Sequence, residues 1–298
     1  MNGVVNELLT ASLAISTRKS YSRAWNTFLD FCLQYLDKSE AQLPVSNATL
    51  LLFLAHLYEK GFAASTIATY NSAIGYMHKI SGLNDPSSSF VVKQLLKGSE
   101  KSRQSTESRF PITQKLLHRM ILELLKEQDD YYRTLFISMF LFAFYGFLRL
   151  GEFTFSSDTD HCLSIRDIEF VGEIGENVVI NFKSFKHSVP SKIASIVINQ
   201  QNNKTFCPIF WIKRYIEIRG SADGPLFCNP NLTHISRKQF GDKLKTIVSA
   251  LGLNCKFYTT HCFRYGASTM AMSLGLSDAQ IRSLGRWKSD AFLRYIRT

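Results

Sequence analysis

Four side chains near the end of the sequence can together act on a phosphate group. His261 precedes Arg264 by three residues, and Trp287 and Tyr295 follow further along the chain. Residues three apart on a helix lie on the same face, so a helix here would direct the histidine and the arginine toward one anion. The indole of Trp287 donates a single hydrogen bond, and a phenol such as Tyr295 supplies an oxygen nucleophile. These residue types predict a site that handles phosphate esters.

The same stretch resembles the C-terminal signature of the tyrosine recombinase family, also called phage integrases. The resemblance is carried by residues 260–268 (THCFRYGAS), residues 284–287 (LGRW) and the pair Arg294 and Tyr295. It implies two further site residues upstream of this stretch. One is an arginine at the end of a helix, and the other is a lysine on a β-hairpin.

Both of these upstream residues can be found in the sequence. Arg149 stands in FYGFLRLGE, with Gly146 three residues before it and Glu152 three residues after it. For the hairpin lysine we choose Lys186, because it stands nearer the turn between two predicted strands. Lys183 remains the alternative.

The resemblance implies a metal-independent attack on DNA. Arg149 and Arg264 would bind the two non-bridging oxygens of a phosphodiester, since guanidinium offers paired planar donors, and would neutralise the charge of the transition state. Tyr295 would attack the phosphorus and form a 3′-phosphotyrosyl bond, which a second DNA strand then reseals. We expect no cofactor.

Two of the remaining site residues, Lys186 and His261, would transfer protons. Lys186 would protonate the leaving 5′ oxygen, and His261 would accept the tyrosine proton or orient the phosphate. Trp287 occupies a position that is often histidine in the family. Three tyrosines compete with Tyr295 for the role of nucleophile, but Tyr295 alone follows Trp287 at the spacing of the family; the competitors are Tyr145, Tyr258 and Tyr265.

The cysteines do not form a metal-binding or disulfide pattern. None of the six belongs to a Cys-x-x-Cys pair, and their spacing fits neither a zinc site nor a disulfide framework. Adjacent histidine and cysteine residues at 161–162 and 261–262 point in different directions on a helix or strand. We therefore expect reduced structural thiols and no metal.

Composition points to a polyanionic partner. The chain has 298 residues and a formal net charge of +11, and 45% of it is hydrophobic, as is ordinary for a globular protein. The charge favours nucleic acid as the partner, although a basic protein that binds no polyanion is the simpler alternative.

The longest apolar run, at about residues 134–148, falls short of the roughly 20 residues that span a bilayer. No secretory signal is recognisable, so we expect an intracellular protein acting at DNA, in the nucleus of a eukaryote or the cytoplasm of a bacterium.

The sequence predicts two domains with a linker between them. Residues 1–100 read as a bundle of four short helices, the last from about Phe90 to Leu96, and the bundle is similar by pattern to the core-binding domain of the family. Residues 101–111 are polar, basic and closed by a proline, as is typical of a linker. Residues 112–298 mix helices with three short strands, predicted at Ile165 to Val171, Val178 to Phe182 and Ile193 to Ile198, and correspond to the catalytic domain. Among its helices, one is predicted from Pro208 to Arg219 and a short terminal one begins near Asp290. The predicted fold class is mainly α with a small antiparallel β-sheet.

Basic residues in the first part of the chain are candidates for contacts with double-stranded DNA. One group lies on a single early helical turn, and the other lies in and before the linker, where a merely solvated linker is nearly as good an interpretation. The two groups are Arg18, Lys19 and Arg23, and Lys97, Lys101, Arg103 and Arg109.

Two alternatives keep the fold but change the function. One is a DNA-binding protein that descends from a recombinase and has lost catalysis, and the other is an enzyme resembling type IB topoisomerases. A hydrolase using Cys262 or Ser268 would need a strand-to-helix elbow motif, which the sequence does not show.

The sequence stops three residues after Tyr295, before the C-terminal element that family members dock on a neighbouring protomer. We expect either a shortened chain or self-association on DNA through other surfaces, such as the N-terminal helices.

Overall fold

The computed structural model describes residues 2–36, 41–102, 109–155, 162–182 and 194–296. Within these ranges the chain forms twelve α-helices, short 3-10 helices and one three-stranded antiparallel sheet, which confirms the predicted fold class. The chain divides into two compact units, an N-terminal unit of residues 1–107 and a C-terminal unit of residues 108–298. None of the described helices is both long enough and apolar enough to cross a membrane.

Five helices build the N-terminal unit, and all but the first turn one apolar side inward. The core consists mainly of aromatic and branched aliphatic side chains, among them Phe28, Phe53, Leu54, Ile67 and Ile74, which are fully buried. The helices are α1 (Asn2–Ala11), α2 (Ile15–Tyr35), α3 (Asn47–Glu59), α4 (Ala64–Ile80) and α5 (Phe90–Ser102).

Two of these helices differ from the sequence prediction. Helix α1 was not predicted, because its apolar residues Val4, Val5 and Leu8 are exposed and do not mark a buried face. Helix α5 was predicted to end near Leu96 but continues to Ser102. The first two residues of the proposed linker are therefore helical.

The C-terminal unit is built around α7 (Asp130–Tyr145), which is buried on all sides from Thr134 to Phe144. A helix that is apolar on every side is typical of the centre of a domain. The lack of an amphipathic pattern in α7 therefore agrees with its central position. Helices α6 (Gln114–Leu124), α9 (Pro208–Arg219), α10 (Arg237–Ala250) and α11 (Cys262–Ser273) pack against it. The remaining helices of this unit are α8 (Leu150–Phe153) and α12 (Asp278–Gly285). A 3-10 helix follows at Asp290–Tyr295.

The sheet has the order β1 (Ile168–Val171), β2 (Asn177–Phe182) and β3 (Ala194–Asn199). Alternate residues of β2 are buried, as expected for a strand with one face on the core. Phe182 at the end of β2 pairs with Ala194 at the start of β3. The connecting residues 183–193, with Lys183 and Lys186, lie outside the described residues.

Close packing of α11 against the start of the domain depends on Gly266. A Cβ atom at this position would lie 1.8 Å from the carbonyl oxygen of Ile112. We expect Gly266→Ala to lower the free energy of unfolding by about 1–3 kcal/mol, because the backbone would have to move. Chemical denaturation of the two proteins measures this difference.

Gly241 provides the matched control, since it also lies inside a helix but a Cβ there would meet nothing within 4 Å. Gly241→Ala should leave stability unchanged or raise it by up to about 1 kcal/mol, because alanine favours the helix. Equal effects of the two substitutions would contradict the packing described for α11.

Candidate active site

Arg149 lies where α7 gives way to α8. It is the N-cap of α8, and Glu152 in the first turn accepts a hydrogen bond from its backbone N–H at 2.8 Å. The same carboxylate accepts a second bond from Arg149 Nη1 at 3.1 Å. Arg149 Nη2 donates to the carbonyl oxygen of Arg286 at 3.0 Å. The Arg149 side chain remains 21% exposed, so solutes can reach it.

Glu152 binds a second arginine as well. Its Oε2 atom lies 2.6 Å from Nη2 of Arg286, and the two side chains are only 5% and 3% exposed. Arg286 follows α12 directly, in the left-handed region with φ of 54°. Its guanidinium also donates to the carbonyl oxygen of Phe147 at 3.3 Å and lies 4.0 Å from the centre of the Phe182 ring.

Arg264 is the third arginine and lies in the first turn of α11, where it is 1% exposed. Its guanidinium donates to the carbonyl oxygens of Phe147 and Gly285, the latter at 2.9 Å. The ring of Trp287 covers it, with 4.3 Å between the guanidinium carbon and the ring centre. Arg264 is therefore held by backbone carbonyls and an aromatic face.

We call Arg149, Arg264, Arg286 and Glu152 the arginine cluster. Glu152 is the one carboxylate of these four residues and contacts Arg149 and Arg286, so the cluster carries an excess of two positive charges. Burial, together with the charge of Arg149, lowers the pKa of Arg264. Burial also lowers the pKa of Arg286, although Glu152 opposes this shift. An anion bound at the cluster would offset the excess charge.

Tyr295 lies beside the arginine cluster at the end of the 3-10 helix that begins at Asp290, where the sequence predicted a short helix. Its ring centre is 5.0 Å from that of Trp287 and 5.0 Å from that of Tyr265. The guanidinium carbon of Arg264 lies 5.5 Å from the centre of the Tyr295 ring. The structure thus brings together Arg149, Arg264, Trp287 and Tyr295.

His261 and Arg264 differ in accessibility. His261 is the N-cap of α11 and is exposed, whereas Arg264 is buried one turn later. The histidine is thus exposed at the start of α11, one turn before the buried arginine. Neither candidate for the hairpin lysine, Lys186 or Lys183, belongs to the part of the chain that the structure describes.

Two residues of the arginine cluster were absent from the predicted site, namely Glu152 and Arg286. Glu152 carried a signal, because an acidic residue three positions after a helix N-cap is typical of a capping box. For Arg286 the sequence contained no comparable signal beyond its place between Gly285 and Trp287. Within the described ranges, no group of three or more His, Cys, Asp or Glu side chains could hold a metal ion.

Five of the seven candidate DNA-binding residues fall on two helices of the N-terminal unit. On α2, Lys19 and Arg23 are exposed and Arg18 is half-buried. On α5, Lys97 and Lys101 are exposed and continue the spacing of four residues from Lys93, so they form one basic stripe. Arg109, in the C-terminal unit, is exposed too, and Arg103 falls outside the described ranges.

Comparison with solved structures identifies the fold. The Tn1549 transposon integrase in complex with transposon right end DNA aligns with a TM-score of 0.66 and 13% identity, covering 96% of this chain and 90% of that one. XerH recombinase bound to its palindromic difH substrate aligns with a TM-score of 0.65 and 15% identity, covering 93% and 74%. A lambda integrase dimer bound to a core site aligns with a TM-score of 0.60 and 13% identity, covering 99% and 75%.

The chain therefore has the tyrosine recombinase fold, which confirms the fold that the C-terminal signature implied. At these identities the likeness is one of fold. No protein-family model and no curated protein matches the sequence.

Proposed function

We propose that this protein breaks and rejoins DNA in site-specific recombination or integration, through a 3′-phosphotyrosyl bond to Tyr295. The observation that carries the proposal is the arginine cluster with its two excess positive charges, lying next to a tyrosine that contacts Arg264. A phosphodiester carries one negative charge, and its pentacoordinate transition state carries a second. The excess charge of the cluster matches that of the transition state.

Arg149 is the arginine that first contacts the phosphate. It is the most exposed guanidinium of the cluster, and its hydrogen bonds to Glu152 and to the carbonyl of Arg286 use two of its five N–H groups. The remaining groups are available to non-bridging oxygens. Both contacts fix the plane of the guanidinium group. The side chain therefore loses little orientational freedom when the phosphate binds.

Arg264 contributes mainly charge in the arrangement described. Its two terminal nitrogens already donate to backbone carbonyls, and Trp287 covers its face. Its Nε atom is buried and has no partner among the described residues.

The chemical step exchanges one phosphoester bond for another. The phenolic oxygen of Tyr295 forms a bond to phosphorus while the bond from phosphorus to the 5′ oxygen breaks. The phenolic proton passes to a base, which we assign to His261, and the 5′ oxygen receives a proton, which we assign to Lys186. Attack by the 5′ hydroxyl of another strand reverses the exchange and releases the tyrosine.

The partner in this proposal is double-stranded DNA, and the protein would self-associate on it. Two observations support DNA: the structures with the same fold include DNA complexes, and α2 and α5 carry exposed basic residues. The lambda integrase structure is a dimer on DNA, which supports self-association. The excess charge of the whole chain adds a favourable, sequence-independent contribution.

The proposal is tested by trapping the covalent intermediate. Protein is incubated in EDTA with a radiolabelled pool of randomised duplexes, each nicked near its centre so that the short 5′-hydroxyl fragment diffuses away after cleavage. We expect a labelled adduct that survives denaturation and disappears on protease treatment. Salt-sensitive DNA binding without any adduct would instead indicate a binding protein that has lost catalysis.

The basic stripe on α5 gives a separate prediction about affinity. Replacing both Lys97 and Lys101 with alanine should weaken binding to every duplex sequence tested. The slope of log affinity against log salt should fall in magnitude by about 0.9 for each lysine that contacts a phosphate. Titrations of labelled DNA at several salt concentrations measure this slope.

Lys238→Ala is the matched control for the stripe, because Lys238 is exposed on α10 and already pairs with Asp242 at 2.7 Å. It should leave the slope close to that of the unaltered protein. An unchanged slope in the double variant would remove α5 from the DNA-binding surface.

A further inference from the structure

We infer that Arg286 is a positioning residue that holds Arg149 in the orientation needed to bind the scissile phosphate, an inference that rests on the proposed function. Arg286 holds Arg149 in two ways. Its backbone carbonyl accepts a hydrogen bond from Arg149 Nη2 at 3.0 Å. Its guanidinium binds Glu152 Oε2 at 2.6 Å, while Glu152 Oε1 binds Arg149 Nη1 at 3.1 Å.

Glu152 therefore acts as a bridge between the two arginines. Its Oε2 atom also accepts the backbone N–H of Arg149, so the carboxylate is fixed at both oxygens. Without Arg286, the same carboxylate could rotate about its terminal torsion, and Arg149 Nη1 would lose a fixed partner. The orientation of the exposed guanidinium thus depends on a buried one.

The side chain of Arg286 stands at a position that is both strained and buried. A residue that follows a helix in the left-handed region is usually glycine, since a side chain there is strained. Here glycine stands one position earlier, at 285, and the strained position holds an arginine with φ of 54°. The side chain is also buried almost completely, which is costly for a charge.

Phe147, whose carbonyl oxygen accepts hydrogen bonds from two of the arginines, also has a strained backbone conformation. Phe147 is left-handed too, with φ of 48°, and its carbonyl oxygen accepts hydrogen bonds from both Arg264 and Arg286. Strained backbone of this kind persists where the surrounding structure fixes it, and it concentrates at functional sites. Two such residues contact the arginine cluster, so the surrounding structure holds strained backbone on both sides of it.

The test uses Arg286→Met, which keeps the length of the side chain and removes its charge, and Arg286→Lys, which keeps a charge for Glu152 but loses the planar fork. Lys288→Met is the matched control, because Lys288 is exposed two residues away. Three quantities are measured for each: the side-chain Nε–H NMR signal of Arg149, the affinity for the nicked duplex pool, and the single-turnover rate of adduct formation at saturating protein.

We expect Arg286→Met to shift or broaden the Arg149 signal and to slow adduct formation about 10- to 100-fold, with DNA affinity changed less than about 3-fold. Arg286→Lys should recover part of the rate, and Lys288→Met should resemble the unaltered protein. Combining Arg286→Met with Arg149→Lys should be hardly slower than Arg149→Lys alone, because both act through one guanidinium.

The NMR measurement decides the inference even if no adduct forms with any protein, an outcome that would overturn the proposed function alone. An Arg149 signal unchanged in both Arg286 variants would overturn the positioning role. Losses of rate that simply multiply in the double variant would overturn it as well, since they would mean that Arg286 acts independently of Arg149. If Arg286→Met does not fold, Arg286→Lys carries the same comparison.

Discussion

Tyr295→Phe should abolish the covalent adduct with DNA, lowering its rate of formation on the order of 10³-fold or more. The substitution removes one oxygen, and that oxygen is the nucleophile of the proposed reaction. The ring can keep its contacts with Trp287, Tyr265 and Arg264, so stability should change by less than about 1 kcal/mol. DNA affinity should also be retained. The measurement is single-turnover adduct formation on the nicked pool, with thermal unfolding recorded alongside.

Tyr258→Phe is the matched control. Tyr258 lies just before α11, outside the contacts that join Tyr295 to Arg264, and burial raises the pKa of its phenol, so less of it is ionised at a given pH. This variant should form the adduct at close to the normal rate. An adduct that persists in Tyr295→Phe and vanishes in Tyr258→Phe would identify Tyr258 as the nucleophile and contradict the proposed reaction.

Arg149→Ala should lower the rate of adduct formation by about 10²- to 10³-fold. This arginine is the accessible donor of the cluster, and its loss removes both a charge and an oriented pair of N–H groups from the phosphate. The fold should survive, because Arg286 remains as the ion-pair partner of Glu152 at 2.6 Å. The rate at saturating protein separates this effect from weaker binding.

Arg166→Ala serves as the control for the loss of one arginine. Arg166 is exposed in the same unit and pairs with Asp223, outside the arginine cluster. It should leave the rate unchanged, since an exposed ion pair contributes little to structure or reaction. A rate within about 3-fold of normal in Arg149→Ala would remove this arginine from the reaction.

Much of the fold could be predicted from local signals. Helix α9 has the predicted bounds, Pro208–Arg219, because proline favours the first helical position and Gly220 follows the end. The three strands were found within a few residues, since β-branched residues cluster there. Helix α8 was missed because four residues give no periodicity. Residues 165–167 were assigned to a strand but form a 3-10 turn.

The candidate site was predictable only in part. The positions of Arg149, Arg264, Trp287 and Tyr295 followed from a linear motif, and the structure brings these residues together. Their mutual support did not follow, because it depends on contacts between segments more than a hundred residues apart, such as Arg286 with Glu152. The burial of Arg264 was missed for the same reason. A sequence motif names the residues of a site, whereas the shared carboxylate and the carbonyl partners arise from tertiary packing.

The most direct measurement of the central claim is the identity of the amino acid that becomes linked to DNA. The trapped adduct would be digested with nuclease and trypsin, and the modified peptide would be sequenced by mass spectrometry. We predict a nucleotide joined through its 3′ phosphate to Tyr295, in the peptide that follows Arg294. A nucleotide on any other residue, or a 5′ linkage, would contradict the account.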